Sequence, residues 1–232
     1  MPEVTIRSAD GGQFQAYFSL PANSRAQSAG IIAMQQIFGV NPEMRGFTDD
    51  FAAHGYVAIC PDLFWRQRPG VQIVPGEEGA FAKALVFARG FDADKAVDDL
   101  KATLEYLRGH PACNGRVGTV GYCLGGLLAY LMAARSDAHC NVGYFGVGIE
   151  RNIAEAAKVA RPLLLHIPEN DRHVPREAQE IVKQGLAGRA EIHAYPDADH
   201  AFNRVGAASY DAAVTDLAYG RTASFLRYHL GS

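Results

Sequence analysis

The residues best suited to chemistry in this chain lie in the run Gly121-Tyr122-Cys123-Leu124-Gly125-Gly126. A cysteine sits there with glycine two positions to either side, between an apolar run fit for a strand (117–122) and one fit for a helix (124 to about 135). That is the form of a sharp turn that lifts a nucleophile above a sheet, with small neighbours that let strand and helix close around it. The helix N-terminus puts partial positive charge behind the sulfur, which suits an anionic thiolate. Cys60, Cys113 and Cys140 occupy no comparable turn and read as ordinary buried thiols.

A thiol nucleophile needs a base, and the base needs an orienting acid. On this kind of turn the chain order is nucleophile, acid, histidine. Asp171 fits the second place, in the loop Pro168-Glu169-Asn170-Asp171 that leaves an apolar strand at 163–167. Glu169, Asp197 and Asp199 compete with it, and a loop aspartate can also simply cap a helix. His200 fits the third place, on the loop Tyr195-Pro196-Asp197-Ala198-Asp199-His200 after the last strand. His166 and His193 fall inside predicted strands, and His173 follows the acid too closely to serve as its base. Cys123, Asp171 and His200 together could attack an ester or lactone carbonyl, form a thioester and hydrolyse it.

Elements able to hold such a set recur along the chain. Residues 4–7 and 14–18 read as a hairpin turning on Asp10-Gly11-Gly12. Strands follow at 31–34, 56–60, 117–122, 163–167 and 191–195, separated by helices at 42–54, 93–108, 124–135, 176–186 and, last, 208–228. Ala96, Val97, Leu100, Leu104 and Leu107 form one helical stripe. Short apolar strands alternating with helices predict a mainly parallel sheet covered on both faces, with ligands beyond the carboxyl ends of its strands.

Bulk properties exclude several classes. The 232 residues suit one α/β domain over 1–232, and no repeat or linker marks a boundary. A net charge of −3 with no basic cluster argues against nucleic acid or an anionic membrane as partner. No signal pattern opens the chain, and no apolar helical run approaches the ~20 residues that cross a bilayer. A cytoplasmic monomer with reduced thiols is expected. There is no H-E-x-x-H and no Cys or His pair at ligand spacing, so no metal is expected; Gly146-Val147-Gly148 lacks the third glycine of a dinucleotide fingerprint and reads as a turn.

Nearly the whole chain resembles the dienelactone hydrolases (carboxymethylenebutenolidases). The resemblance is carried by Gln35-Gln36-Ile37-Phe38-Gly39-Val40-Asn41, Cys60-Pro61-Asp62-Leu63, the cysteine turn, Gly143-Tyr144-Phe145-Gly146-Val147-Gly148, and the spacing of Asp171 and His200. It implies an α/β-hydrolase fold acting on small lactones without a cofactor. It also implies an oxyanion hole made by the backbone N–H groups of Ile37 and Leu124, and a substrate site including Gln36, Phe38, Phe81, Leu85, Tyr144 and Arg204. Arg204 matches an arginine that grips a substrate carboxylate.

Two positions depart from the family. Gln36 stands where the family has a glutamate that helps activate the thiol, and an amide cannot take that proton. Phe81 stands where the family has a second carboxylate-binding arginine. Phe81, Leu85 and Ala88 share a helical face, which is either core packing or the wall of a more apolar pocket. The competing readings are a hydrolase of other small esters or thioesters, and a non-catalytic small-molecule binding protein on a hydrolase scaffold.

Overall fold

The computed structural model describes residues 3–22 and 27–231. The chain divides into two compact units, Met1–Thr119 and Val120–Ser232, and the division falls inside strand β5 (Cys113–Tyr122).

The first unit holds β1 (Glu3–Arg7), β2 (Gln13–Ser19), β3 (Ser28–Met34), α1 (Pro42–Ala53), β4 (Val57–Pro61), α2 (Ala80–Arg89) and α3 (Ala93–Gly109). β1 and β2 form the expected antiparallel hairpin, β2 pairs antiparallel with β4, and β4 pairs parallel with β3. Ile31, Ile32, Ala33 and Met34 are fully buried, as a continuous apolar strand requires. Helix starts follow their capping residues. Asn41 accepts from the Met44 N–H ahead of Pro42, and Asp92 accepts from the Asp94 and Lys95 N–H groups. The α3 stripe is buried as read, along with two polar residues: Thr103, whose hydroxyl donates to the Asp99 carbonyl, and Asp99, 1% exposed, which accepts hydrogen bonds from Ser8, Trp65 and Arg66. It thereby ties the hairpin and the loop after β4 to α3.

The second unit holds the end of β5, α4 (Leu124–Arg135), β6 (Cys140–Tyr144), a 3-10 helix (Glu150–Lys158), β7 (Leu163–Pro168), α5 (Arg176–Gly185), β8 (Glu191–Tyr195) and α6 (Ala212–Leu230). β6, β7 and β8 are parallel neighbours in that order. Every residue from 124 to 133 is buried, so α4 is enclosed on all sides, as its unbroken apolar sequence demands. β6 and the 3-10 helix have no counterpart among the predicted elements. The last helix starts at Ala212 instead of near 208, because the Asp211 carboxylate accepts from the Val214 N–H and sets the first turn there. In all, eight strands contribute to a mainly parallel sheet with an antiparallel hairpin at its N-terminal end.

Candidate active site

Cys123 lies on the turn between β5 and α4 with φ 56° and ψ −109°, a conformation that costs a non-glycine residue about 1–3 kcal/mol. Its surroundings hold it there. The Cys123 N–H donates to the Tyr144 carbonyl at 3.0 Å, and its own carbonyl accepts from Gly126 at 2.9 Å and Val147 at 3.3 Å. Two glycines make this closeness possible. A Cβ on Gly121 would stand 2.0 Å from the Gly125 carbonyl oxygen, and one on Gly126 would stand 2.6 Å from the Gly146 Cα. Gly146-Val147-Gly148 therefore serves a turn after all, with Gly146 packed against the start of α4 and Gly148 at φ 95°.

Backbone strain gathers at this end of the unit. Among the described residues the non-glycine residues at positive φ are Cys123, Phe145 and Ala201. They sit at the exits of β5 and β6 and beside His200 respectively.

Asp171 follows β7, and its side chain is 1% exposed. One oxygen accepts from the backbone N–H groups of His173 at 2.7 Å and Val174 at 3.2 Å; the other meets His200 Nδ1 at 2.8 Å. A carboxylate only accepts, so it fixes the His200 proton on Nδ1 and turns Nε2 elsewhere. Cys123 lies near enough to act on the same ring. Burial alone would lower the basicity of that ring. The neighbouring Cys123 and the bond to Asp171 overcome it and raise His200 to about 10. The ring is wedged against Phe145, edge to face at 4.9 Å.

The competing acids have other work. Glu169 pairs with Lys183 at 2.5 Å, and Asp197 is exposed. Asp199 accepts from the His200 N–H at 2.6 Å while its other oxygen takes the Arg172 side chain, which joins the acid loop to the histidine loop. That brace was not legible in the sequence, where Asp199 registered only as a rival to Asp171.

Among the other histidines, His166 is fully buried and pushed down to about 3, chiefly by burial. Its Nδ1 meets the Tyr195 hydroxyl at 2.7 Å and its Nε2 the Thr222 hydroxyl at 2.9 Å, and Thr222 in turn meets the Tyr144 hydroxyl at 2.6 Å. Tyr144 Oη also lies 3.3 Å from the Ala218 carbonyl, which can only accept. The hydroxyls therefore point one way, from Tyr195 through His166 and Thr222 to Tyr144 and the carbonyl, and each donor is used once. Tyr144, expected at the substrate site, is fully buried, and its hydroxyl meets Thr222 of α6, which anchors β6.

The remaining site residues expected from sequence lie in the first unit, except Leu124 and Arg204. Ile37 is half-buried in the turn after β3. Gln36 is 2% exposed and its amide donates to the Glu43 carboxylate at 3.4 Å, so a carboxylate does lie beside this amide, supplied from α1. Phe38 is buried at 8% exposure. On α2 the buried residues are Ala80 and Ala84, whereas Phe81 is 48% exposed and Leu85 half-exposed. The Phe81, Leu85 and Ala88 stripe is thus not the core-facing side of its helix. Leu124 is the first residue of α4, whose leading N–H groups have no acceptor within the helix. Arg204 is half-buried, four residues past His200.

Cys123 is half-buried, whereas Cys60, Cys113 and Cys140 are buried. Burial, and then Asp62, push the Cys60 thiol up to about 12, and burial raises Cys113 as well. Brief iodoacetamide treatment followed by peptide mass spectrometry is expected to find one adduct, on Cys123, with activity lost in proportion. Equal labelling of the other thiols with activity retained would contradict this.

Among the described residues no cluster of three His, Cys, Asp or Glu side chains could hold a metal ion, and no helix is long and apolar enough to cross a membrane. A strained cysteine at the strand-to-helix turn, with an acid and a histidine on the loops after β7 and β8, defines an α/β-hydrolase. The known proteins narrow this. The model of the dienelactone hydrolase family matches residues 14–230, and the chain belongs to that family. A protein of Azospirillum brasilense is 42% identical over 100% of both chains. Carboxymethylenebutenolidase 1 of Cupriavidus pinatubonensis is 37% identical over 96% of this chain and 95% of its own. In fold, a dienelactone hydrolase-like promiscuous phosphotriesterase from metagenomic libraries superposes with a TM-score of 0.80 at 16% identity, covering 98% of each chain. The protein is an enzyme of the ester- and lactone-hydrolysing class.

Proposed function

We propose that the enzyme opens small lactones or carboxylic esters through Cys123, with His200 as proton carrier and Asp171 as its orienter. The observation that carries this reading is the Asp171 carboxylate held 2.8 Å from His200 Nδ1, with Cys123 on its strained turn acting on the same ring. Attack needs the thiolate form of the sulfur, and His200 is the group placed to take its proton. The thiolate attacks the carbonyl carbon, and the N–H group of Leu124, at the start of α4, receives the oxyanion, where the helix dipole favours negative charge. The C–O bond breaks as His200 passes its Nε2 proton to the leaving oxygen, giving a thioester. His200 then takes a proton from water, the hydroxide attacks the thioester, and the C–S bond breaks to free the acid.

The name of the Cupriavidus relative points to a lactone bearing a carboxylate. In this reading Arg204, half-buried four residues past His200, receives that carboxylate. Phe81 favours a second reading, in which neutral small esters or thioesters turn over as well, because an exposed phenyl stands where the family has a second arginine. A hydrolysis screen of small lactones and esters, each with and without a carboxylate, tests both. Arg204→Ala is expected to raise KM for the carboxylate-bearing set by about 10- to 100-fold, as loss of a charge-assisted bond worth about 1.5–3 kcal/mol implies, and to leave the neutral set nearly unchanged. Equal losses on both sets would remove Arg204 from substrate binding.

A further inference from the structure

His173 has no place in the mechanism above, yet it lies against the residue that does most of the proton transfer. Its ring meets the His200 ring edge to face, with centroids 4.7 Å apart and planes at 85°. Its backbone N–H holds the Asp171 oxygen that does not face His200. Unlike the His200 side chain, which is 11% exposed, His173 is open to solvent and can exchange protons with it directly. The other charged groups that act on it are Asp171, Arg172 and Asp199. Burial against its neighbours and the charge of His200 lower its proton affinity, and Arg172 acts in the same direction, whereas Asp171 and Asp199 oppose them.

We propose that His173 is a positioning residue whose charge state tunes the basicity of His200 and limits hydrolysis on the acid side. This rests on the reading that His200 serves Cys123. The sensitive step is release of the thioester. There the sulfur carries no charge, so His200 has lost the anion that favoured its protonated form, and it must accept a proton from water. A positive charge on a ring 4.7 Å away opposes that transfer. The sign follows from the lowered proton affinity. His173 is neutral at pH 7 and becomes charged only as the pH falls below its ordinary value of 6.5. The deacylation rate should therefore fall below that pH, before His173 affects substrate binding.

The test compares His173→Phe with His173→Lys, which both remove the imidazole and differ in charge, with His173→Gln as a second neutral variant. The kcat of the neutral variants should persist to lower pH than that of the parent, with a shallower acid limb. His173→Lys should lower kcat at pH 7 by about tenfold relative to the neutral variants, with KM falling alongside it and kcat/KM within about twofold, the mark of slowed thioester release. A parallel titration follows the His200 ring by NMR in the Cys123→Ala background, where no turnover is needed. His200 should give up its proton at lower pH in the lysine variant than in the phenylalanine variant. Identical His200 titrations in the two variants, or overlapping kcat profiles, would overturn the proposal. If Cys123→Ala itself hydrolyses substrate, the nucleophile assignment fails, and the NMR comparison still decides whether His173 controls His200.

Discussion

Replacing Cys123 with alanine is expected to cut hydrolysis of a chromogenic short-chain ester by about four orders of magnitude or more, with the fold intact. The expectation of an intact fold comes from the backbone. The contacts that hold the turn are the Cys123 amide on Tyr144 and its carbonyl under Gly126 and Val147, and none involves the sulfur. Alanine accepts the same contacts and removes only the atom that attacks. Circular dichroism and Tm should match the parent closely while turnover disappears. Activity retained in Cys123→Ala would remove the cysteine mechanism whole.

Asp171→Asn should be nearly as damaging, and for a reason visible in the geometry. The oxygen that accepts from His173 and Val174 can be kept by an asparagine carbonyl, so the turn survives. The amide NH2 must then face His200 Nδ1, where a carboxylate oxygen stood at 2.8 Å. An NH2 donates, so the His200 ring is driven to carry its proton on Nε2 instead, and Nε2 can no longer act as the base. A fall in kcat of about 10⁴ is expected, with KM little changed. His200→Ala should cost a similar factor. Combined, the two should cost no more than the worse of them, since they act as one proton-transfer unit. Steady-state kinetics of both single variants and the double variant read this out. A double variant that loses the product of the two factors would show that Asp171 and His200 act separately.

The expected triad and most of the elements were legible because the signals were local. The cysteine between two glycines, the apolar runs on either side, and loops at strand exits are patterns within about ten residues. What escaped was set by partners distant in sequence. Asp199 looked like a competing acid because its bond to Arg172 spans two loops. His173 was set aside for lying two residues from Asp171, although that spacing is what brings its ring onto His200. Tyr144 was read as a substrate contact through the family motif around it, and only the Thr222 hydroxyl on α6 explains why it is core. β6, with an asparagine and a glycine in five residues, carries too little apolar signal to read as a strand. Phe81 is the reverse case. Sequence offered two meanings for its stripe, and the exposure of Phe81 against the burial of Ala80 and Ala84 removes core packing.

The strained backbone at Cys123 also bears on how this sequence can change over generations. Positive φ is least costly for glycine, so a chain free of any demand for a side chain at this turn would gain stability by losing it. Most natural proteins sit close to the stability they need, and a lasting cost of this kind is retained where activity requires it. On the proposed mechanism, the cost of placing a cysteine at this turn is offset by what its sulfur does. The same turn sets a limit for engineering: substitutions chosen for thermal stability alone would tend to select against the residue on which the proposed chemistry depends.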